Sequence, residues 1–164
     1  MGQEQQGPAP VQLRAGSAQD LRALHALDQL CYPPGIAYSL AEMRYYLARP
    51  GAVCIVAEDE AGGLAGFAIA HPARYGKLPG GHIVTIDVAG ELVRRGVGTR
   101  LMAAVEGQLI AAGVRLLRLE VAVDNLGAQA FYRRLGFKAK GAIPGYYLGK
   151  VDAILMEKEL QQPE

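Results

Sequence analysis

The chain has 164 residues, 51% of them hydrophobic, and a formal net charge of +1 at pH 7. Such a length makes one domain, and such a composition gives it a real core and excludes a disordered protein. The near-zero charge supplies no global field toward nucleic acid or a membrane surface. No apolar run approaches the roughly 20 residues of a transmembrane helix. The opening MGQEQQGPAP lacks a charged-then-apolar leader, and Gln6 breaks the myristoylation pattern. Cys31 and Cys54 are too few for a disulfide framework, and Cys54 sits in an apolar run as a core thiol. A cytoplasmic protein is expected.

In chain order, residues 1–10 are rich in Gln, Gly and Pro and read as a disordered tail. Residues 11–14 form a short strand. Ser17 and Asp20 make a capping pair before a helix that runs to about Leu30, with Leu21, Leu24, Leu27, Asp28 and Cys31 at helical spacing. The run Tyr32-Pro33-Pro34-Gly35 ends it. Ser39 and Glu42 form a second capping box for a helix through Ala48, stopped by Pro50-Gly51. Strands follow at residues 52–58 and 64–70, joined by a turn. Residues 74–81 read as a loop because of Gly76, Pro79, Gly80 and Gly81. A strand over residues 82–88 comes next.

The next stretch organises the chain. Residues 84–106 read VTIDVAGELVRRGVGTRLMAAVE, an apolar strand, a basic glycine turn and a helix from Thr99 to about Ala112. The first N–H groups of a helix lack intrahelical partners, and its dipole makes that end positive. Glycines allow close backbone approach, and two arginines add charge of the same sign. Such an end suits a phosphate. It is not a P-loop, since Thr99 is followed by Arg100, and not a dinucleotide fingerprint, since Leu101 stands where a third glycine belongs. By itself the turn also reads as a simple helix cap.

A strand over residues 114–123 follows, then a helix capped by Asp124 or Asn125 and ended by Gly136. Residues 137–142 form a strand, 145–149 a loop and 151–160 the last strand, and residues 161–164 fray as a C-terminal tail. Residues 11–160 are expected to be a single domain, with no repeat and no linker.

This order, with a basic glycine turn between strand and helix, resembles the GNAT acetyltransferase fold. A second motif makes the likeness specific: NLGAQAFYRRLGF at residues 125–137 resembles the family's N-x-x-A-x-x-F-Y-x-x-x-G-F. The resemblance covers residues 11–160. It implies an α/β (α+β) acyl-CoA N-acyltransferase fold, with a mixed central sheet of about seven strands and about four helices on its faces. Three further features resemble the RimI-like group, which acetylates protein N-termini. Glu120 precedes Asn125 and Tyr132 at the spacing of that group's proton acceptor, cofactor-contacting Asn and proton donor. The sequence Cys31-Tyr32-Pro33 with Tyr38-Ser39 resembles its loop between the first two helices. Tyr146-Tyr147 followed by Asp152-Ala153 resembles its ending. Val93 and Gly90 depart from the family's usual Arg or Gln and Pro. Phosphate binding by backbone amides is expected to survive both changes.

The resemblance implies acetyl-CoA as cosubstrate. Backbone amides of Arg94, Arg95, Gly96, Val97, Gly98 and Thr99 would hold its pyrophosphate. Backbone at Ile86, Asp87 and Val88 would run along it. A bulge at Val88 would splay two strands, and an N–H there would polarise the acetyl carbonyl and stabilise an oxyanion. Asn125 would reach the pantetheine while capping its helix. Tyr132 would assist the departing thiolate, against the alternative of a core aromatic. Glu120 would be the general base, against the alternative of a solvated carboxylate paired with Arg118 or Arg115. His71 and His82 are alternative bases, His82 being expected at the edge of its strand. Tyr32, Tyr38, Tyr146 and Tyr147 would line the acceptor groove. No Cys/His cluster has metal-ligand spacing, so no metal is implied. The acceptor implied is a protein or peptide N-terminus. A small amine or a lysine side chain is the second reading, and a non-catalytic acetyl-CoA-binding module the third.

Overall fold

A computed structural model describes residues 7–161. The expected terminal tails therefore lie partly outside the described residues. Seven strands make one sheet in the order β1-β2-β3-β4-β5-β7-β6. They are β1 (Gln12–Ala15), β2 (Val53–Glu58), β3 (Leu64–Tyr75), β4 (Leu78–Val88), β5 (Leu116–Ala122), β6 (Lys138–Tyr147) and β7 (Val151–Glu159). All neighbours are antiparallel except β4 and β5, which are parallel. The four α-helices among the described residues are α1 (Leu21–Cys31), α2 (Leu40–Leu47), α3 (Val97–Ala111) and α4 (Leu126–Arg134).

Local chemistry explains the helix ends. Ser17 and Asp20 exchange both hydrogen bonds of a capping box at a 3-10 turn that leads into α1. Ser39 and Glu42 do the same at the start of α2. Helix α3 starts at Val97, two residues before the expected Thr99, because Gly96 takes a left-handed φ of 83° that ends the turn there. Its buried residues Val97, Leu101, Val105 and Leu109 recur every fourth position and face the sheet with Met102. Burial of each such side chain contributes about 1.5–3 kcal/mol. This face joins β2 to β5 in the main core. Leu21, Leu24 and Leu27 of α1 and Met43 of α2 pack with Val56, Phe67 and Ile69 on the other face.

Two expected loops are strand instead. Residues 74–81 belong to a hairpin, with β3 running to Tyr75 and β4 starting at Leu78. Only Gly76, at φ 65°, serves the turn. Gly80 and Gly81 serve packing: a Cβ on Gly80 would lie 2.3 Å from the Tyr75 ring, and one on Gly81 3.0 Å from Leu117. Residues 145–149 likewise belong to a hairpin, with Tyr147 paired to Val151. The amino end also packs earlier than expected. Ala9 is 5% exposed and its N–H bonds the Arg95 carbonyl at 3.1 Å, so the packed chain includes residues expected to be tail. No helix among the described residues is long and apolar enough to cross a membrane.

Candidate active site

The parallel pair β4 and β5 is joined at only three positions, Gly80–Leu116, Gly81–Leu117 and His82–Arg118. Beyond His82 the strands part. The cause lies in β4, whose register against β3 shifts so that Ile83 and Thr85 face Ala70 and Ile69, leaving Val84 as an extra residue. This bulge turns the strand away from β5. The expected bulge at Val88 thus lies four residues earlier.

The split leaves polar backbone on the β4 edge. The Ala89 N–H reaches back to the Ala65 carbonyl on β3, so the alternate residues Ile86 and Val88 face the split. Their carbonyls do not go unmet. The Tyr38 hydroxyl donates to Val84 O at 3.2 Å and the Tyr32 hydroxyl to Ile86 O at 3.1 Å. The Cys31 thiol lies 3.5 Å from Val88 O. The N–H groups of Ile86 and Val88 share that edge and stand where an extended ligand could pair with them. The Asp87 side chain is 1% exposed and lies on the α1 side of the sheet.

A cavity of about 350 Å³ fills the split. Seven expected site residues line it together: Tyr32, Tyr38, Glu120, Asn125, Tyr132, Tyr146 and Tyr147. Val84 and Thr85 of β4 also line it, whereas Ile86, Val88 and the turn from Arg94 to Thr99 lie outside its walls. Asn125 caps α4, its side-chain oxygen accepting the Ala128 N–H at 3.1 Å. Tyr132 is 7% exposed and packs edge-on against Phe137. Burial pushes the phenols of Tyr32, Tyr38, Tyr132 and Tyr147 well above their ordinary value, and Tyr146 up to about 12. All five are therefore neutral donors near pH 7. At the mouth, Gly35 (φ 92°) packs so closely that a Cβ there would lie 2.4 Å from Leu148 Cδ1. The α1–α2 loop and the β6–β7 hairpin tip thus meet across the groove.

Glu120 has a partner that the spacing of the sequence does not reveal. Its Oε2 lies 2.7 Å from His82 Nε2, and His82 Nδ1 lies 3.3 Å from His71 Nε2. Arg118, expected as an alternative partner, pairs with Glu157 at 2.7 Å instead. His82 is not a residue of the sheet's edge but stands where β4 and β5 part. The sequence named His71 and His82 as alternative bases, but nothing in it placed them against Glu120. Burial holds His71 below its ordinary pKa, which keeps it neutral.

The basic turn has the conformation that the glycines suggested. Arg94 and Gly96 both take left-handed φ, 67° and 83°. For a non-glycine residue such as Arg94 this costs about 1–2 kcal/mol. Gly96 gives no side-chain cap to α3, so the N–H groups of Val97, Gly98 and Thr99 keep no intrahelical partner. A Cβ on Gly98 would press on Phe131 of α4 at 3.0 Å. The turn is braced from behind, since Arg95 Nε donates to Gly7 O at 3.2 Å and Arg100 Nη1 to Val11 O at 2.9 Å.

The sheet is split at its centre, and a helix end with unpartnered N–H groups lies beside the split. Residues 21–137 match the Acetyltransferase (GNAT) family, and the chain belongs to that family. It is similar to an N-alpha-acetyltransferase of Saccharolobus solfataricus, 37% identical over 81 residues. That match covers 49% of this chain and 48% of the relative, so the chain spans about half the length of that relative. A longer match, 27% identical over 153 residues, is to the catalytic subunit of the N-terminal acetyltransferase A complex of Arabidopsis thaliana, covering 92% of this chain and 79% of that one. In fold it resembles the ribosomal-protein-S18-alanine N-acetyltransferase of Escherichia coli, with a TM-score of 0.80 at 23% identity over 94% of this chain and 96% of that one. The fold thus agrees with the seven-stranded mixed sheet and four helices expected from the sequence.

Proposed function

We propose that this protein transfers the acetyl group of acetyl-CoA to the α-amino group of a peptide or protein N-terminus. The observation that carries the reading is the cavity, where Glu120 and Tyr132 line one space behind a mouth of tyrosines. The residues fit acetyl-CoA on two counts. The β4 edge offers N–H groups to an extended chain, and the α3 end offers unpartnered N–H groups to a pyrophosphate. When bound, acetyl-CoA supplies the activated acyl group.

The acceptor amine must be neutral to attack. An α-amino group has a pKa of about 7.7–8.0 and a lysine about 10.4, so at pH 7.5 deprotonation costs under about 1 kcal/mol for the first and about 4 for the second. A carboxylate is a sufficient base for the first. Glu120 takes the proton, and His82 Nε2 at 2.7 Å is the next station for it, with neutral His71 behind. Tyr132, a neutral donor in a dry site, meets the charge that develops on the leaving sulfur. Tyr32, Tyr38, Tyr146 and Tyr147 hold the first residues of an extended peptide. The contact of Leu148 with Gly35 supports selection of a chain end, because a lysine inside an intact chain would have to pass beneath it.

The test is acetyl-CoA with a pool of short peptides, each product mapped by mass spectrometry. Acetyl on α-amines is the expected result. Acetylation of internal lysines or small amines alone, with α-amines untouched, would refute the acceptor assignment.

A further inference from the structure

Two buried carboxyl groups stand outside the proposed chemistry. Asp28, near the end of α1, is 0% exposed, and Asp87, in the middle of β4, is 1% exposed. Each has one oxygen satisfied: Asp28 Oδ2 accepts the Tyr38 N–H at 2.7 Å, and Asp87 Oδ1 accepts the Thr85 hydroxyl. The other oxygens, Asp28 Oδ1 and Asp87 Oδ2, find no donor among the described residues. The end of α1 lies over this stretch of β4, with Cys31 Sγ 3.5 Å from Val88 O and the Tyr32 hydroxyl 3.1 Å from Ile86 O, so the two open carboxyl oxygens belong to one buried region. An ionised carboxylate only accepts, so a hydrogen bond between them requires a proton on one of them. Two like charges in contact inside a protein do not both ionise.

The pair sits under the acceptor wall. Asp28 holds the backbone of Tyr38, whose hydroxyl reaches Val84 O, and the hydroxyl of Tyr32 reaches Ile86 O, on the strand that carries Asp87. We propose that Asp28 and Asp87 are a positioning pair that holds the loop of residues 32–38 against β4 through one shared proton. The grip on the acceptor then depends on that proton. The inference rests on the acceptor groove assigned above.

Loss of the proton would set two anions face to face with no cation bonded to either. The groups around the pair are His25 and Cys31 of α1, Glu42 of α2, Tyr32 and the Tyr38 N–H of the loop, Thr85 of β4 and Tyr132 of α4. Only His25 can add positive charge. Burial, then the neighbouring carboxyl, raises Asp87 well above the usual carboxylate range, and burial raises Asp28. With the folded pKa raised, the stabilising proton is fully held below the ordinary carboxyl pKa of about 4. Stability then falls as pH rises toward the pair's own titration, and levels beyond it.

The test compares the full chain with Asp28→Asn. The asparagine oxygen can accept the Tyr38 N–H while its amide donates to Asp87, so the donor is permanent. Urea unfolding from pH 5 to 9 should show the unfolding constant of the wild type gaining about tenfold per pH unit on that of the variant over the window where one proton separates them. Parallel curves would mean that no proton is shared and would overturn the proposal. Kinetics give the second readout. The ratio of the wild-type acceptor KM to that of Asp28→Asn, in which the acceptor's own titration cancels, should rise where the pair titrates. Asp28→Ala should raise the acceptor KM at least tenfold at every pH, with acetyl-CoA affinity unchanged in all three. Should Asp28→Ala not fold, the contrast between wild type and Asp28→Asn decides. Equal and parallel KM profiles for those two would refute the positioning role. Because unfolding needs no acceptor, and KM can be read for whichever amine turns over, failure of the N-terminal assignment is separable from failure of the pair.

Discussion

Replacing Tyr132 by Phe isolates one hydroxyl. The ring contacts with Phe131 and Phe137, at 5.3 and 5.7 Å between centroids, survive the change, so the fold should not respond. A free phenol near 10 facing a thiol near 8.5 makes full proton transfer uphill by about 2 kcal/mol, and burial raises the Tyr132 phenol further. Tyr132 should therefore act through a hydrogen bond to the thiolate. Such a bond to a charged group contributes about 1.5–3 kcal/mol, which is roughly 10- to 150-fold in rate. The expected result for Tyr132→Phe is a fall of that size in kcat, with acceptor KM and thermal midpoint unchanged. Because a phenol raised by burial stays neutral, the ratio to wild type should be constant from pH 7 to 9. Thiol release from acetyl-CoA in the presence of peptide measures it. A kcat within twofold of wild type would refute the role, and so would a loss confined to KM.

Three other outcomes test separate parts of the structure. Glu120→Gln should lower kcat/KM by roughly 100-fold or more; His82→Ala should lower it less, and the double variant should be no worse than Glu120→Gln if the two act as a unit. Gly35→Val, strained at φ 92° and pressed on Leu148, should raise acceptor KM and internal-lysine acetylation by mass spectrometry while leaving acetyl-CoA affinity unchanged. Leu101→Ala, fully buried beneath the sheet, should cost about 2–5 kcal/mol of stability in urea unfolding with the catalytic constants of the folded fraction preserved.

Local signals in the sequence carried most of the fold and part of the site. The capping boxes at Ser17 and Ser39, the four-residue spacing along α3 and the glycine turn at residues 96–98 depend on neighbours a few positions away. Such contacts leave marks in the sequence. Gly80 and Gly81 were misleading because their glycines answer to Tyr75 and Leu117 across the sheet, not to a turn. The His82–Glu120 contact joins residues 38 positions apart, and it exists only because β4 and β5 become neighbours. Asp28 and Asp87 were visible in another way. Asp28 is a carboxylate on an otherwise apolar helix face with Leu21, Leu24 and Leu27, and Asp87 interrupts an apolar strand run between Ile86 and Val88. That pattern marks a buried charge but cannot name its partner.

The three residue pairs that join β4 to β5 have a mechanical consequence. Beyond so short a seam the facing backbone edges of β4 and β5 have no strand partner across the split. A ligand laid along the β4 edge would supply the partner that β5 does not. Amide exchange at the ends of β4 and β5 that border the split should therefore slow when acetyl-CoA binds, while exchange within β2 and β3, already sealed on both sides, stays as it was.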